Sequence, residues 1–427
     1  MKFKFAWSIL LLISIAVAQP GVTPNNKPAP IPINPVAIKP TAPAGTLLPL
    51  PKVQPEPPGA IQPRAPGQKS PQTLNRIPTN PSLPEIAKIE YANNGFIEVA
   101  HALILIPKKY ATTSRDLTFA FSAVQRAFSL RPALEEVDFS VFEKEGFAGA
   151  GGPLPRLTGS IPKPLLNRFL QLSPKTLSGF ERVWQNGGIS QKPLRQATSE
   201  KEIAPTFSGD SSGLQAQQAK QQKFDGGVTG GLLFQGSPEE PMIAMTFDDA
   251  PHPLYEPLLL DILRRTHVRA TFFCIGRNAE AYPYFVRDMV RQGHEVGNHT
   301  YHHVRLIGLS PEAVTDELER TNKVLRDITG TTVKYFRPPG GRYSSQTLQL
   351  AFKAGLTTVF WTDDPGDFRN SGEKILERKL VRRLRYGGIV LLHDNVLESI
   401  QVLPQFLKAA FERGIHVDHI TGMLEGI

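Results

Sequence analysis

The feature that most restricts the fold is an alternation of short apolar runs with amphipathic segments, which begins near Pro241 and continues to the end of the chain. Seven of the runs are strand candidates, and the segments between them have helical spacing. Strands that alternate with helices pair in parallel, because each helix returns the chain to the same edge of the sheet. We therefore predict an α/β domain over 237–427. The strand candidates are Met242–Phe247, Ala270–Phe273, His294–Asn298, Val333–Arg337, Thr357–Trp361, Ile389–Leu392 and Ile415–Val417.

The N-terminus has the pattern of an export signal. Lys2 and Lys4 precede a nearly continuous apolar stretch from Phe5 to Ala18, which has the length of a signal-peptide core and is short for a membrane span. Residues 1–18 are therefore predicted to be a signal peptide, with an uncleaved membrane anchor as the alternative. In both cases the rest of the chain is expected outside the cytoplasm, as a secreted, periplasmic or cell-envelope protein.

Three segments separate the signal from the α/β domain. About half of the 39 prolines lie in 19–85, so this segment is predicted to be a disordered or polyproline linker. Residues 86–188 contain strand and helix candidates, among them the strands Phe96–Ile106 and Val137–Phe142 and the helix Leu117–Leu130, which predict a small α+β domain. Residues 189–236 are predicted to be a second linker. Two roles are compatible with the sequence of the small domain: binding of a wall polymer or a partner, and a purely structural function.

Charge and cysteine content exclude several classes of protein. The formal net charge is +9, but the basic residues are dispersed, and no nucleic-acid motif is present, so no nucleic-acid partner is predicted. The single cysteine, Cys274, lies in an apolar run and can form neither an intrachain disulfide nor a cysteine metal cluster. The basic segment Arg378–Arg385 is most simply a solvated helix face, with attraction to a wall or membrane surface as the weaker alternative. The sequence does not indicate an oligomeric state.

Ionisable side chains gather just after the carboxyl ends of five strand candidates. In a parallel α/β fold these ends share one side, where loops build the active site. Ionisable side chains from five different strands would therefore meet at one edge of the sheet, which indicates a catalytic site. The residues are Asp248 and Asp249, His299 and His303, Arg337, Asp363, Asp364 and Asp367, and His393 and Asp394.

The histidines and the first pair of aspartates in this set predict a metal site. His299 and His303 are four residues apart, so a helical turn would place both imidazoles on the same side. Two neutral imidazoles and one carboxylate are a usual catalytic zinc set that leaves a position for water. Either Asp248 or Asp249 can supply the carboxylate. A surface pair of histidines is the simpler alternative, and the coupling to two aspartates at another strand end argues against it.

The remaining groups suit acid–base chemistry. Adjacent aspartates point in different directions, so one can bind an ion while the other takes a proton from water whose pKa the ion lowers. Arg337 can keep this base ionised, and His393 can protonate a leaving group. Either Asp364 or Asp367 can hold the imidazole of His393 and favour its charged form. The set predicts hydrolysis of an amide or an ester.

Five short motifs contain these residues in a fixed order. They resemble the motifs of the polysaccharide deacetylases with a NodB homology domain, carbohydrate esterase family 4. The resemblance covers 237–427 and implies a distorted (β/α) barrel with about seven strands. The motifs are Thr246-Phe247-Asp248-Asp249-Ala250-Pro251, His299-Thr300-Tyr301-His302-His303, Arg337-Pro338-Pro339-Gly340-Gly341, Asp364-Pro365-Gly366-Asp367-Phe368 and Leu391-Leu392-His393.

The resemblance also implies one role for each residue. It implies Asp248 as the base, with Arg337 as its partner, and His393 as the acid, oriented by Asp367. It implies a metal triad of Asp249, His299 and His303, and it places Leu391 in the pocket for the acetyl methyl group. The expected ion is zinc, with cobalt or another divalent ion as the alternative.

Three positions depart from the family pattern. Ala250 stands where glycine is usual and could restrict the turn after the aspartates. Gly340 replaces a frequent tyrosine, so a wall of the substrate groove is expected to be missing. Phe368 replaces a common tryptophan and keeps an apolar surface without the indole donor. None of the three removes a catalytic group, so we expect activity to be kept and the substrate contacts to differ.

The predicted activity is removal of N-acetyl groups from an acetylated polysaccharide, either peptidoglycan or a chitin-like N-acetylglucosamine polymer. One alternative is an O-acetyl esterase that acts on a xylan-type polymer. The other is a non-catalytic wall-binding protein on the same fold, which the presence of every expected ligand and proton-transfer group disfavours. Peripheral or N-terminal membrane association is compatible with each reading.

Overall fold

The structure of the protein is a computed structural model that describes residues 74–79, 83–149, 152–187 and 226–426. The predicted signal peptide at 1–18, most of the proline-rich segment at 19–85 and most of the linker at 189–236 lie outside these residues. The described chain forms a six-stranded and a nine-stranded sheet. None of the described helices has both the length and the apolar character that a bilayer span requires.

The six-stranded sheet has the order β1-β2-β3-β4-β5-β6 and is antiparallel except for the pair β3–β4. Helix α1 (Thr113–Leu130) connects these two parallel strands. Thr112 caps the helix by accepting a 3.3 Å hydrogen bond from the backbone N–H of Arg115, and apolar residues from Leu117 to Phe128 bury one face of α1 against the sheet. The strands are β1 (Asn75–Arg76), β2 (Ile86–Asn93), β3 (Glu98–Ile106), β4 (Glu136–Glu143), β5 (Leu157–Pro162) and β6 (Val183–Gln185).

This sheet begins earlier in the chain than the predicted domain boundary. Strand β1 places Asn75 opposite Tyr91 of β2, and the N–H of Ile77 donates to the carbonyl of Ile89 at 2.9 Å. Ile77 is also buried in the sheet's core. Residues 74–79 therefore belong to the small sheet and not to the linker that was predicted to reach residue 85. A two-residue strand among prolines has no periodicity from which it could be recognised.

The nine-stranded sheet contains the predicted α/β region. Its order is β14-β9-β10-β11-β12-β13-β8-β7, and β15 also pairs with β9. Every pair is parallel except β7–β8. The strands are β7 (Val228–Thr229), β8 (Leu232–Leu233), β9 (Met242–Ala250), β10 (Thr271–Cys274), β11 (Glu295–Asn298), β12 (Tyr335–Phe336), β13 (Thr357–Val359), β14 (Gly388–His393) and β15 (His416–Asp418). All seven strand candidates of the sequence are present.

Helices connect these strands and pack on the outer face of the sheet. The longest of the described helices has a capping residue at each end: the Ser310 side chain accepts the N–H of Ala313 at 3.3 Å, and Gly330 ends the helix with φ 71°. The described α-helices after α1 are α2 (Leu166–Phe169), α3 (Glu256–Thr266), α4 (Gly276–Ala281), α5 (Pro283–Arg291), α6 (Pro311–Thr329), α7 (Ser345–Lys353), α8 (Glu373–Arg383), α9 (Leu397–Glu412) and α10 (Ile420–Glu425).

Hydrogen bonds between β14 and the residues that follow β13 join the two sides of the curled sheet. Asp363 forms a parallel bridge with Val390, and the N–H of Leu391 donates to the carbonyl of Asp363 at 2.9 Å. The N–H of Thr362 donates to the carbonyl of Ile389 at 3.0 Å. The prediction of a distorted barrel is therefore confirmed.

Residues 226–236, which were predicted to be part of a linker, belong to the barrel. Strand β8 pairs with β13, and the N–H of Phe360 donates to the carbonyl of Leu233 at 2.8 Å. Leu233 is fully buried, and the ring of Phe234 stacks on that of Phe360 with 4.7 Å between centroids. The linker boundary at residue 236 is wrong, because two-residue strands between glycines give no alternation to detect.

Period-two alternation divides the barrel strands into an inner and an outer face. Ile243, Met245 and Phe247 of β9 face the helices in the large core. Met242 and Ala244 face inward and join Phe273, Tyr335 and Ile389 in a second cluster. The same alternation predicts that Asp248, His299, Arg337 and His393 point into the mouth of the barrel.

Candidate active site

The two aspartates at the end of β9 reach the mouth of the barrel in different ways. Asp248 follows the inward alternation of the strand. Asp249 would face outward, but β9 is bulged here, because Phe273 pairs with Asp248 while Cys274 pairs with Ala250. Asp249 has φ 71°, and a bulge of this kind turns a side chain toward an active site. The positive φ falls on Asp249 and not on Ala250, so the alanine does not strain the turn.

Asp249, His299 and His303 form one cluster, with a ligand atom from each lying within 4.8 Å of the others. Asp249 Oδ1 lies 3.1 Å from His303 Nε2 and 3.6 Å from His299 Nε2. This oxygen is buried and accepts no hydrogen bond from any described residue. A carboxylate oxygen left without a donor between two imidazole nitrogens fits a divalent metal ion of the zinc type.

The protonation states of the cluster suit an ion. Burial alone would raise the pKa of Asp249, but three neighbouring imidazoles outweigh it and lower the pKa to about 2. Burial lowers the pKa of His299 to about 4. Near neutral pH the cluster therefore offers an ionised carboxylate and a neutral imidazole at His299, the forms in which these groups bind metal.

The loop that carries the two histidines is not the helical turn that their spacing predicted. Thr300 has φ 63° and His303 has φ 55°, and the loop lies between β11 and α6 without helical hydrogen bonds. These left-handed residues fold the chain back, so the rings of His299 and His303 lie 4.9 Å apart between centroids. The helical interpretation is wrong, although the proximity of the rings that it predicted is present.

Two contacts fix this loop. Glu317 of α6 accepts the backbone N–H groups of Tyr301 at 2.9 Å and of His302 at 2.8 Å, and its other oxygen contacts His302 Nδ1 at 2.6 Å. His299 Nδ1 donates to the carbonyl of Arg337 at 2.7 Å, which leaves Nε2 of His299 as the ligand atom. His302 is therefore turned away from the triad and holds the loop.

Asp248 is bound to a guanidinium inside the barrel. Arg337 Nη1 donates to Asp248 Oδ1 at 2.8 Å and to Thr246 Oγ1 at 2.8 Å. Arg337 is fully buried, and its guanidinium carbon lies 4.2 Å from the centroid of the Phe273 ring. The second oxygen of Asp248 lies 3.8 Å from His299 Nε2. Of the two aspartates, Asp248 is therefore held by arginine and Asp249 by the imidazoles.

On the opposite side of the mouth, Asp367 holds His393. Asp367 Oδ1 contacts His393 Nδ1 at 2.8 Å, and Oδ2 accepts the hydroxyl of Ser399 at 2.6 Å. Burial alone would lower the pKa of His393, but the charge and hydrogen bond of Asp367 outweigh it and raise the pKa to about 10. The alternative partner, Asp364, instead accepts the backbone N–H of Gly366 at 2.8 Å. The imidazole is thus a cation near neutral pH.

The three residues predicted to line the substrate pocket occupy different settings. Leu391 is buried on the inner face of β14, two residues before His393. The Phe368 ring meets the His393 ring edge to face at 5.7 Å between centroids. Gly340 is exposed with φ 63°, and a Cβ at this position would find no atom within 4 Å. The space that a larger side chain would occupy at Gly340 is therefore open.

Four supporting residues were not recognised from the sequence. Asn395 donates to Asp249 Oδ2 at 2.9 Å, and its position two residues after His393 could have indicated it. Ser399 and Glu317 act through other residues and lie in none of the five motifs, and Thr246 begins the first motif but was given no role there. A carboxylate held by arginine, a charged imidazole and a cluster that fits a metal ion lie around one opening, and groups of these kinds are what hydrolysis of an amide or ester requires. This set is typical of a hydrolase.

Comparisons with known proteins agree with this class. A family model described as polysaccharide deacetylase matches residues 235–359. A peptidoglycan-N-acetylglucosamine deacetylase of Bacillus cereus is 34% identical over 192 residues, which are 43% of this chain and 90% of the relative. A chitooligosaccharide deacetylase of Azorhizobium caulinodans is 40% identical over 154 residues, which are 36% of this chain and 73% of the relative. A solved CE4 family pseudoenzyme from Bacillus anthracis has 29% identity and a TM-score of 0.45, covering 46% of this chain and 70% of that one.

The identity and coverage of the two relatives place the chain in the polysaccharide deacetylase family, whose members are hydrolases. The resemblance that the five motifs indicated is therefore confirmed. The range of the family model contains the first three motifs, which include Asp248, Asp249, both histidines of the triad and Arg337.

Proposed function

We propose that the barrel is a metal-dependent enzyme that removes N-acetyl groups from a glycan containing N-acetylglucosamine, either peptidoglycan or a chitin-like polymer. The observation that carries the proposal is the Oδ1 atom of Asp249, which is buried between two imidazoles and accepts no hydrogen bond from the part of the chain that the structure describes. The names of the two relatives support the choice of substrate, because one is a peptidoglycan and the other a chitooligosaccharide deacetylase.

The residues of the mouth divide the reaction between them. A bound divalent ion, held by Asp249, His299 and His303, would supply positive charge that acidifies water and polarises the acetyl carbonyl. Asp248 takes the proton of the attacking water, and its bond to Arg337 keeps the carboxylate ionised and oriented.

His393 is the acid in this proposal. Its Nδ1 is occupied by Asp367, so Nε2–H is the position from which a proton passes to the departing amine. Asp367 keeps the imidazole charged until that step. Leu391 and Phe368 offer apolar surface near His393 for the acetyl methyl group, and the open space at Gly340 widens the groove.

Zinc is the proposed ion, because two imidazoles and one carboxylate are a usual catalytic zinc set. The enzyme is proposed to act outside the cytoplasm, as a secreted, periplasmic or envelope-attached protein. The support is the sequence of residues 1–18, with its two lysines, apolar core and small residues at Ala16 and Ala18. Retention of this segment as an anchor would give N-terminal membrane association.

The test is release of acetate by the full chain, stripped with a chelator and reloaded with Zn²⁺ or Co²⁺. Chitooligosaccharides, peptidoglycan and acetylated xylan are compared side by side. Metal-dependent release from either of the first two supports the proposal. Release from xylan alone identifies an O-acetyl esterase. No release from any of them by a protein that binds metal contradicts the proposal and favours a non-catalytic wall-binding protein or a different substrate.

A further inference from the structure

We propose that the small domain (the six-stranded sheet and α1) is a positioning element of the metal site. It holds the segment 276–282, and this segment in turn holds the loop between His299 and His303. The inference rests on the metal site proposed above. It gives the small domain a function within the enzyme, in place of a separate binding module on a tether.

The first link joins the segment 276–282 to the histidine loop. The N–H of Gly276 donates to the carbonyl of Thr300 at 2.9 Å, and the N–H of Arg277 donates to the carbonyl of Tyr301 at 3.1 Å. The Tyr301 hydroxyl donates to Glu280. A Cβ at Gly276 would lie 2.8 Å from the Tyr301 ring, so no residue larger than glycine fits between the segment and the loop at this distance. A shift of this segment would therefore move the loop.

The second link joins the small domain to both ends of the segment. Arg277 donates from its guanidinium to the carbonyl of Gly152. Thr158 Oγ1 donates to the carbonyl of Ala281 at 2.6 Å, and Ser140 Oγ lies 3.0 Å from the hydroxyl of Tyr282. The side chains of Thr158 and Ser140 are fully buried. These hydrogen bonds are therefore made out of contact with water, where the loss of a partner is most costly.

Contacts on either side of the segment extend the interface. Arg182 pairs with Asp288 of α5, and Leu154 packs among aromatic residues at the start of this helix. Near α3, Asn94 Nδ2 donates to the carbonyl of Leu258 at 2.8 Å and to Asp261 at 3.0 Å. Polar contacts with three helices, most of them buried, hold the two parts in one orientation.

The consequence concerns metal affinity. Residues that orient metal ligands through hydrogen bonds typically change affinity by about 10–100-fold when they are removed. Thr158 lies further out than such partners, because it acts through the carbonyl of Ala281, the segment 276–282 and the loop between the two histidines. We therefore expect its loss to weaken binding at the lower end of that range.

The experiment compares three threonine variants of the full chain. Thr158→Val removes the donated hydroxyl at nearly constant volume, and Thr158→Ser keeps it. Thr118→Val removes a hydroxyl that donates within α1 at 2.9 Å and lies on the exposed side of the same domain. Zinc affinity is measured by competition with a chelating indicator, well below the melting temperature, on protein shown to be folded by circular dichroism.

We expect Thr158→Val to bind zinc about tenfold more weakly than the wild type, with Thr158→Ser and Thr118→Val near the wild type. A structural role alone would lower the melting temperature of Thr158→Val and leave the affinity of the folded protein unchanged, and this result overturns the inference. An equal loss in Thr118→Val overturns it as well. If Thr158→Val does not fold, the zinc affinity of Ser140→Ala is measured in its place, and an affinity equal to that of the wild type overturns the inference. A wild type that binds no zinc would instead defeat the proposed function itself.

Discussion

Both oxygens of Asp367 hold the same residue, because Oδ1 contacts the ring nitrogen Nδ1 of His393 at 2.8 Å and Oδ2 accepts its backbone N–H at 2.7 Å. The carboxylate therefore sets the direction of the ring as well as its charge. This arrangement makes the pH dependence of the enzyme a test of the pair.

The raised pKa of His393, about 10, means that the acid is protonated below that pH and is lost above it. Activity should therefore fall on the alkaline side as His393 loses its proton. Asp367→Asn removes the charge that raises the pKa, so the alkaline limb of kcat/KM against pH should move to lower pH. Asp364→Asn is the matched control, because Asp364 makes no hydrogen bond to the imidazole among the described contacts. An alkaline limb that does not move in Asp367→Asn contradicts the assignment of His393 as the acid.

The two adjacent aspartates should separate metal binding from turnover. Asp248→Asn keeps the ligand triad intact and removes the proton acceptor. It should therefore bind zinc as the wild type does, with a kcat that is lower by a factor of about 10²–10⁴. Asp249→Asn removes the ionised ligand, so it should bind zinc at least about tenfold more weakly. Metal content and acetate release are measured on both variants. Full activity of Asp248→Asn would refute its role as the base.

Glu317 should matter for metal binding although it is not a ligand. Its Oε2 accepts two backbone N–H groups of the histidine loop, and an amide in its place can present only one acceptor oxygen. We expect Glu317→Gln to weaken zinc binding by about tenfold, as measured by calorimetry. Glu319→Gln, on the exposed face of the same helix, should bind as the wild type does. Equal affinities in the two variants would show that the loop holds its shape without Glu317.

Neighbouring glycines after Arg337 should respond differently to alanine. Gly340 and Gly341 both have positive φ, of 63° and 66°, but a Cβ would meet nothing at the first and the Trp361 ring at 2.5 Å at the second. Gly340→Ala should therefore lower the unfolding free energy by about 1 kcal/mol, because only the left-handed backbone conformation disfavours alanine there. Gly341→Ala should cost about 1–3 kcal/mol more, because the ring has to move. Urea denaturation measures both, and equal losses would contradict the packing described for Trp361.

Strand β8 should contribute to the stability of the barrel. Leu233 is fully buried, so Leu233→Ala should lower the unfolding free energy by about 2–5 kcal/mol. Val228 of β7 is 48% exposed, and Val228→Ala should change stability by less than about 0.5 kcal/mol. If Leu233→Ala is as stable as Val228→Ala, residues 226–236 behave as the linker that the sequence predicted.

The barrel could be predicted because its main strands are continuous apolar runs and its polar residues collect at strand ends. Met242–Ala250 and Gly388–His393 contain clear runs of this kind, and the two-residue period of an extended strand points Asp248 and His393 inward. The two-residue strands Asn75–Arg76 and Leu232–Leu233 lie among prolines and glycines, so the sequence does not reveal them and only their pairing with distant strands does.

Within the site, the sequence could predict which residues assemble and not how the backbone brings them together. The spacing of His299 and His303 indicated proximity but not the left-handed residues that produce it. The choice between Asp364 and Asp367 depends on the 3₁₀ turn at Asp367–Arg369. Glu317 is far from the loop in sequence, so only the packing of α6 identifies it.

The bulge at the end of β9 has a mechanical consequence. A regular strand cannot present two consecutive side chains to one face, yet Asp248 and Asp249 serve the same opening. Their Cα atoms are one peptide unit apart, about 3.8 Å, whatever the rest of the barrel does. The distance between the backbone anchors of the proposed base and the proposed metal ligand is therefore set by covalent bonds, and thermal motion of the surrounding loops cannot change it. The two carboxylates can then move apart only through rotation of their own side chains.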